Sequence, residues 1–199
     1  MMKSTTVAIV LLVFSHNAFA QTDYLATGNK YLSSEKYIAA EQIFRKAIKA
    51  DSSNTIYKSQ LALSLMQQDK HKEAQQIIDK ILLREPANIG ALWYGGVNSF
   101  SDKKTDFRKT VGFFEKALPL LRENQGQFYS ANWFIGRSYQ NLLQTSGISY
   151  EEVSRMLECY SIYIRLQPNA EDITEIVAFV KHIQEIRPPE NIKKWINKI

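Results

Sequence analysis

The feature that most constrains this chain is a recurrence of residue types at an interval of 34 residues. With Gln21 as position 1, Tyr24, Gly28 and Tyr31 fall at positions 4, 8 and 11, and Ala40, Phe44 and Ala47 at 20, 24 and 27. One interval later Ala62, Leu65, Ala74, Ile78 and Ile81 stand at 8, 11, 20, 24 and 27, and Asn88 repeats Asn54. A fixed period of this length marks a repeat array, in which each unit buries its apolar side against its neighbours. The residue types have a packing reason. Small side chains at 8, 20 and 27 let two helices of a unit approach closely, and large ones at 4, 11 and 24 are expected to fill the spaces between units. Glycine inside a helix costs about 1 kcal/mol relative to alanine, so its return at Gly28, Gly96 and Gly136 points to tight contact.

The stretch SEKYIAAEQIFRKAIKADSSN resembles the second helix and exit turn of the tetratricopeptide repeat (TPR), and DKHKEAQQIIDKILLREPAN resembles the same element again. Pro86 stands at position 32, where that family usually has proline. A third unit carries Gly96, then FRKTVGFFEKALPLLREN with Thr110, Phe114 and Ala117 at 20, 24 and 27, and two extra residues in the turn near Ser101 to Asp106. It departs from the pattern with paired Gly95-Gly96, no proline at position 32 and Pro119 three residues earlier, read as kinking or shortening that helix. A fourth, looser unit carries Gly136, Tyr139, Met156, Tyr160 and Tyr163, with about eight extra residues around Leu143 to Tyr150 expected to lengthen its turn.

The resemblance implies an all-α fold: a right-handed α-solenoid of TPR helix hairpins over 21–168, in units 21–54, 55–88, 89–124 and 129–168, with C-terminal capping helices over 169–199. Within the last segment, Ile173, Ile176, Val177, Val180 and Ile183 form a stripe at helical spacing. Pro188-Pro189 would end that helix, and 190–199 reads as a last short one with Ile192, Trp195, Ile196 and Ile199 on one side and Lys193, Lys194 and Lys198 nearby. Solenoids need such an end piece to cover the final apolar face.

Residues 1–20 read as a secretory signal peptide. Lys3 gives a positive start, Val7 to Phe14 an apolar run, and Ala18-Phe19-Ala20 a cut after Ala20. The run is too short to span a bilayer, which needs roughly 20 apolar residues. Export into the periplasm of a Gram-negative bacterium is the expected destination. Cleavage removes Lys3 and no acid, leaving the mature chain one unit below the +5 of the whole. That mild bias lacks the basic stripe of a nucleic-acid binder, so no nucleic acid is expected as partner. The basic C-terminal helix is the one place where membrane contact is considered, and oligomeric state is not legible. The single cysteine, Cys159, cannot form an internal disulfide and reads as a small core side chain.

The search for chemistry finds little. After cleavage the histidines are His71, in a charged turn, and His182, on the polar side of the capping helix, neither with a spaced second ligand. No phosphate loop, nucleophile elbow or zinc-protease motif occurs. Glu151-Glu152 and Glu171-Asp172 sit at expected helix starts, where carboxylates complement the macrodipole. No catalytic residue, metal or cofactor is expected. The TPR resemblance implies instead a groove lined by positions 2, 5, 9, 12 and 13 of each first helix. On this chain it gives Leu25, Asn29 and Leu32, then Ile56, Leu63 and Met66, then Trp93, Val97 and Phe100, and finally Trp133 and Arg137. Some members hold a terminal carboxylate with lysine, asparagine and arginine. Asn29 matches one of those positions, but Leu25, Ile56, Gln60 and Tyr94 occupy others, so that clamp is expected to be absent. The groove is apolar and aromatic, which suits a protein or peptide segment. The expected function is a non-catalytic adaptor of the cell envelope. A sugar- or small-ligand-binding module and a self-assembling structural protein are the alternatives.

Overall fold

The computed structural model describes residues 24–122 and 126–197. The signal segment 1–20, the unit boundaries at Gln21 and Asn124, and Lys198 and Ile199 lie outside the described residues. The chain divides into two compact units, the first ending at Arg84 and the second beginning at Glu85.

In the first unit, α1 (24–33) and α2 (Tyr37–Ala50) form one hairpin, and α3 (Thr55–Met66) and α4 (His71–Arg84) the next. Helix α3 packs against both α2 and α4. The repeat is visible in the backbone itself. Glu35 and Asp69 occupy equivalent turn positions and both adopt a left-handed φ, 56° and 59°. In each turn the next residue bonds back to position 11, Lys36 N–H to the Tyr31 carbonyl at 2.9 Å and Lys70 N–H to the Leu65 carbonyl at 3.0 Å. The side chain of Asn54 accepts from Ile56 N–H and Tyr57 N–H and so caps α3, satisfying amides that the first helical turn leaves unpaired.

The second unit contains α5 (Ile89–Ser101), α6 (Phe107–Ala117) with a 3-10 turn at Leu118–Leu120, α7 (Gly126–Thr145), α8 (Tyr150–Leu166) and α9 (Ile173–Glu185). Each packs on its successor, with α6 held between α5 and α7. Asn88 caps α5 as Asn54 caps α3, and with the same backbone angles. Pro119 falls in the 3-10 turn, where α6 has already ended at Ala117. Ser149 and Glu152 close a capping box at the start of α8.

Position 8 is where the hairpins are locked. A Cβ on Gly96 would stand 2.5 Å from the Phe114 ring, one on Gly136 2.8 Å from Tyr160, and one on Gly28 would collide with Phe44. The large side chain at position 24 therefore sits on the glycine of its own unit. This corrects the expectation that it only fills the space between units, although Phe114 also stacks on Phe134 of the following hairpin at 4.7 Å. Paired Gly95-Gly96 follow the same logic, because a Cβ on Gly95 would stand 2.6 Å from Phe113.

Two expectations are overturned at the C-terminal end. The extra residues near 143–150 do not mainly lengthen a turn. They extend α7 to Thr145, with Leu143 fully buried. The segment after α9 is not a second helix through residue 197. It runs extended along this addition, with Trp195 and Ile148 paired in an antiparallel bridge and Asn197 N–H donating to the Leu143 carbonyl at 3.1 Å. Gly147 turns at φ +82°, and a Cβ there would meet Ile196, Lys194 and the Trp195 carbonyl. The helical reading of 190–199 rests on apolar spacing alone, whereas the backbone of Ile148 and Tyr150 offers groups outside any helix ladder that the tail pairs with.

Polar contacts tie α2 to the turn between α3 and α4. Glu41 accepts from Lys70 Nζ at 2.8 Å, Arg45 Nε at 2.8 Å and Gln68 Nε2 at 2.9 Å. Burial alone would raise its pKa, but these bonds outweigh burial and bring it from 4.5 to about 2.

Gly96→Ala should destabilise the protein by about 1–3 kcal/mol, because Phe114 must move. Gly112→Ala, in α6 with nothing within 4 Å of the new Cβ, should instead stabilise it by about 0.5–1 kcal/mol. Chemical denaturation of the two variants reads both signs. Since folding favours ionised Glu41, its contribution is full above pH 4.5 and is lost as pH falls toward 2. Across that window the melting temperature of Glu41→Gln should fall less steeply than that of the parent.

Candidate partner-binding site

The first-helix residues singled out by sequence lie in both units. In the first, Leu25 and Leu32 are half-buried on α1 and Asn29 is exposed. On α3, Ile56 is 56% exposed, Leu63 half-buried and Met66 buried. Ile56 is thus the open apolar position of α3, while Met66 belongs to the core.

In the second unit the structure brings the aromatic residues together. Trp93, Val97 and Phe100 on α5 are half-buried. The centre of the cluster is Phe134, which sequence reasoning missed. Its ring stacks on Phe114 and meets Phe100 at 5.1 Å, Trp133 at 5.1 Å and Trp93 at 6.3 Å, all edge-on. Trp93 also stands edge-on to Phe114 at 5.3 Å, and Phe100 to Phe107 at 5.9 Å. These are the offset geometries that aromatic quadrupoles favour. A signal for Phe134 existed in the Trp133-Phe134 doublet. Adjacent residues on a helix point about 100° apart, so only one of the two could face a groove.

Trp133 and Arg137 on α7 are engaged within the chain. Trp133 Nε1–H donates to Asp172 Oδ2 at 2.6 Å, and Arg137 Nη1 to Glu175 Oε1 at 2.8 Å. Arg137 also lies 3.6 Å from Asp172 and sits 5.6 Å over the Trp133 ring. Tyr163 of α8 donates to Asp172 Oδ1 at 3.0 Å, with its own pKa pushed up to about 12 by burial and by that bond. Asp172 is the N-cap residue of α9, yet its side chain makes no cap bond. Its carboxylate ties the start of α9 to α7 and α8 instead. Sequence reading had placed this acid at a helix start, but not the use to which it is put.

Cys159 is fully buried, and burial pushes its thiol up to about 12, so it is no nucleophile at neutral pH. His71, expected in a turn, is the buried first residue of α4, and His182 is exposed on α9. Among the described residues no three of His, Cys, Asp and Glu gather to hold a metal, and no helix is long and apolar enough to cross a membrane.

Comparison with known proteins agrees with this architecture. The family model described as tetratricopeptide repeat matches residues 31–94. Over those residues the chain matches the tetratricopeptide repeat, and its described residues fold as the all-α helix hairpins typical of that class. Among solved structures it is similar to a crystal structure of MamA, at 17% identity over 84% of each chain with a TM-score of 0.65. It is also similar to MamA from Desulfovibrio magneticus RS-1, at 12% identity over 85% of this chain and 98% of that one, with a TM-score of 0.61. At these identities the likeness is one of fold. No curated protein matches the chain.

The tether of α9 yields a prediction. Trp133→Phe keeps a ring against Phe100 and Phe134 but removes the donor to Asp172. It should cost about 1–3 kcal/mol and raise amide exchange in α9 before the rest of the second unit. Uniform exchange across α7, α8 and α9 would show that the bond does not hold the helix.

Proposed function

We propose that this chain is a non-catalytic adaptor that docks an apolar segment of another protein on the first-helix surfaces of its hairpins, and that it works in the cell envelope after export. The observation that carries the reading is the half-buried row Trp93, Val97 and Phe100 on α5, seated above the Phe114–Phe134 stack. Rigid aromatic side chains backed by a packed core lose little entropy on binding, which is why Trp and Tyr recur as interface anchors. A peptide is favoured over a sugar because the nearby polar groups are already committed. Arg137 is spent on Glu175 and Asp172, and the Trp133 indole on Asp172, leaving few groups to orient hydroxyls. Residues 1–20, with their basic start and small-residue cut site, support export.

A photo-crosslinking amino acid placed at Val97 in the native host tests the reading. We expect a reproducible protein adduct that weakens about tenfold or more in a Phe100→Ala background and is absent when the crosslinker is placed at exposed Lys116. The mature chain recovered from the periplasmic fraction should begin at Gln21. Equal adducts at both positions would overturn the docking face, and an uncleaved cytoplasmic chain would overturn the location.

A further inference from the structure

The first unit holds a cleft that the first-helix reading does not use. It is formed by α2, α3 and α4 and has a volume of about 660 Å³, within the range of roughly 300–1,000 Å³ typical of ligand sites. Leu61 is its buried floor, Ile48 and Ile77 are half-buried walls, and Leu83 at its lip is 84% exposed. Three cations surround this apolar surface: Lys58 from α3, and Lys80 and Arg84 from α4. The one carboxylate in the lining, Glu73, is taken by Arg45. Among the described residues no carboxylate forms a salt bridge with Lys58, Lys80 or Arg84.

We infer that this cleft is a second docking surface, selective for an acidic amphipathic helix of a partner protein. Shape and charge both argue for that occupant. The lining residues of α4 run from Glu73 to Arg84 at helical spacing, a strip of roughly 17 Å at 1.5 Å per residue. That strip matches the apolar stripe of a partner helix, whose leucine-type side chains would enter between Ile77 and Leu83. Carboxylates flanking that stripe would face Lys58, Lys80 and Arg84, and their charge would set orientation and partner choice. This inference is independent of the α5 docking face, because it uses different helices in the other unit.

The test uses the purified chain and a fluorescein-labelled helical peptide of about 14 residues, with leucines at i, i+3, i+4 and i+7 and glutamates elsewhere. Two controls replace the glutamates by lysine, or the leucines by serine. Fluorescence anisotropy should show the acidic leucine peptide binding at least about tenfold more tightly than either control. Combined Lys58→Glu, Lys80→Glu and Arg84→Glu should abolish this preference, and so should Leu83→Asp alone, each with unchanged helicity by circular dichroism. Phe100→Ala should leave it intact, which separates this surface from the α5 face. Equal binding of the lysine or serine peptide would overturn the proposal, as would indifference to Leu83→Asp. So would binding of phosphatidylglycerol vesicles through these residues without binding of the peptide.

Discussion

An aromatic ring resting on a helix that has no side chain to push it away is the contact from which the rest of this structure is built. Phe44 on Gly28, Phe114 on Gly96 and Tyr160 on Gly136 repeat one solution in three hairpins. The ring gains contact with bare backbone, and the paired helices come closer than any Cβ would permit. Glycine costs helix stability where it stands, and the burial of a Phe or Tyr side chain offsets that cost. In the second unit the consequence extends to the surface. Because Phe114 is held low on Gly96, Phe134 can stack flat upon it, and the residues of α5 that face outward rest on a firm aromatic base.

The C-terminal part of the second unit departs from strict repetition, and its departures serve one another. After α7 ends at Thr145, the backbone around Gly147 and Ile148 is buried outside any helix. The extended tail pairs with that stretch through Trp195. Arg187 closes the arrangement from the other side, its guanidinium 4.3 Å over the Tyr150 ring. An irregular insertion and an irregular tail thus supply each other's hydrogen-bond partners, as backbone groups withdrawn from water must have.

How much of this was legible depended on whether the signal was local. The register of positions 8, 20, 24 and 27 could be read because each position demands a side-chain size that the sequence displays directly. The turns could be read for the same reason, with Asn54 and Asn88 at equivalent caps. The tail could not. Its helical apolar spacing at Ile192, Trp195 and Ile196 is real, but the structure that decides its conformation lies some 45 residues earlier in the chain. Phe134 was hidden differently. Its importance arises from Phe114 beneath it, a partner in another hairpin that no single-helix pattern reveals. The engagement of Trp133 and Arg137 likewise depends on where α9 lands.

Asp172 has a consequence for the order in which the molecule assembles. A residue of this type at a helix start ordinarily satisfies the first free amides, but here the carboxylate is turned sideways to Trp133 and Tyr163. A helix of 13 residues is marginal by itself, and this one forgoes its own local starting signal. Helix α9 therefore becomes stable only once the preceding hairpin has brought its indole and phenol into place. Its formation reports that the fourth hairpin is complete.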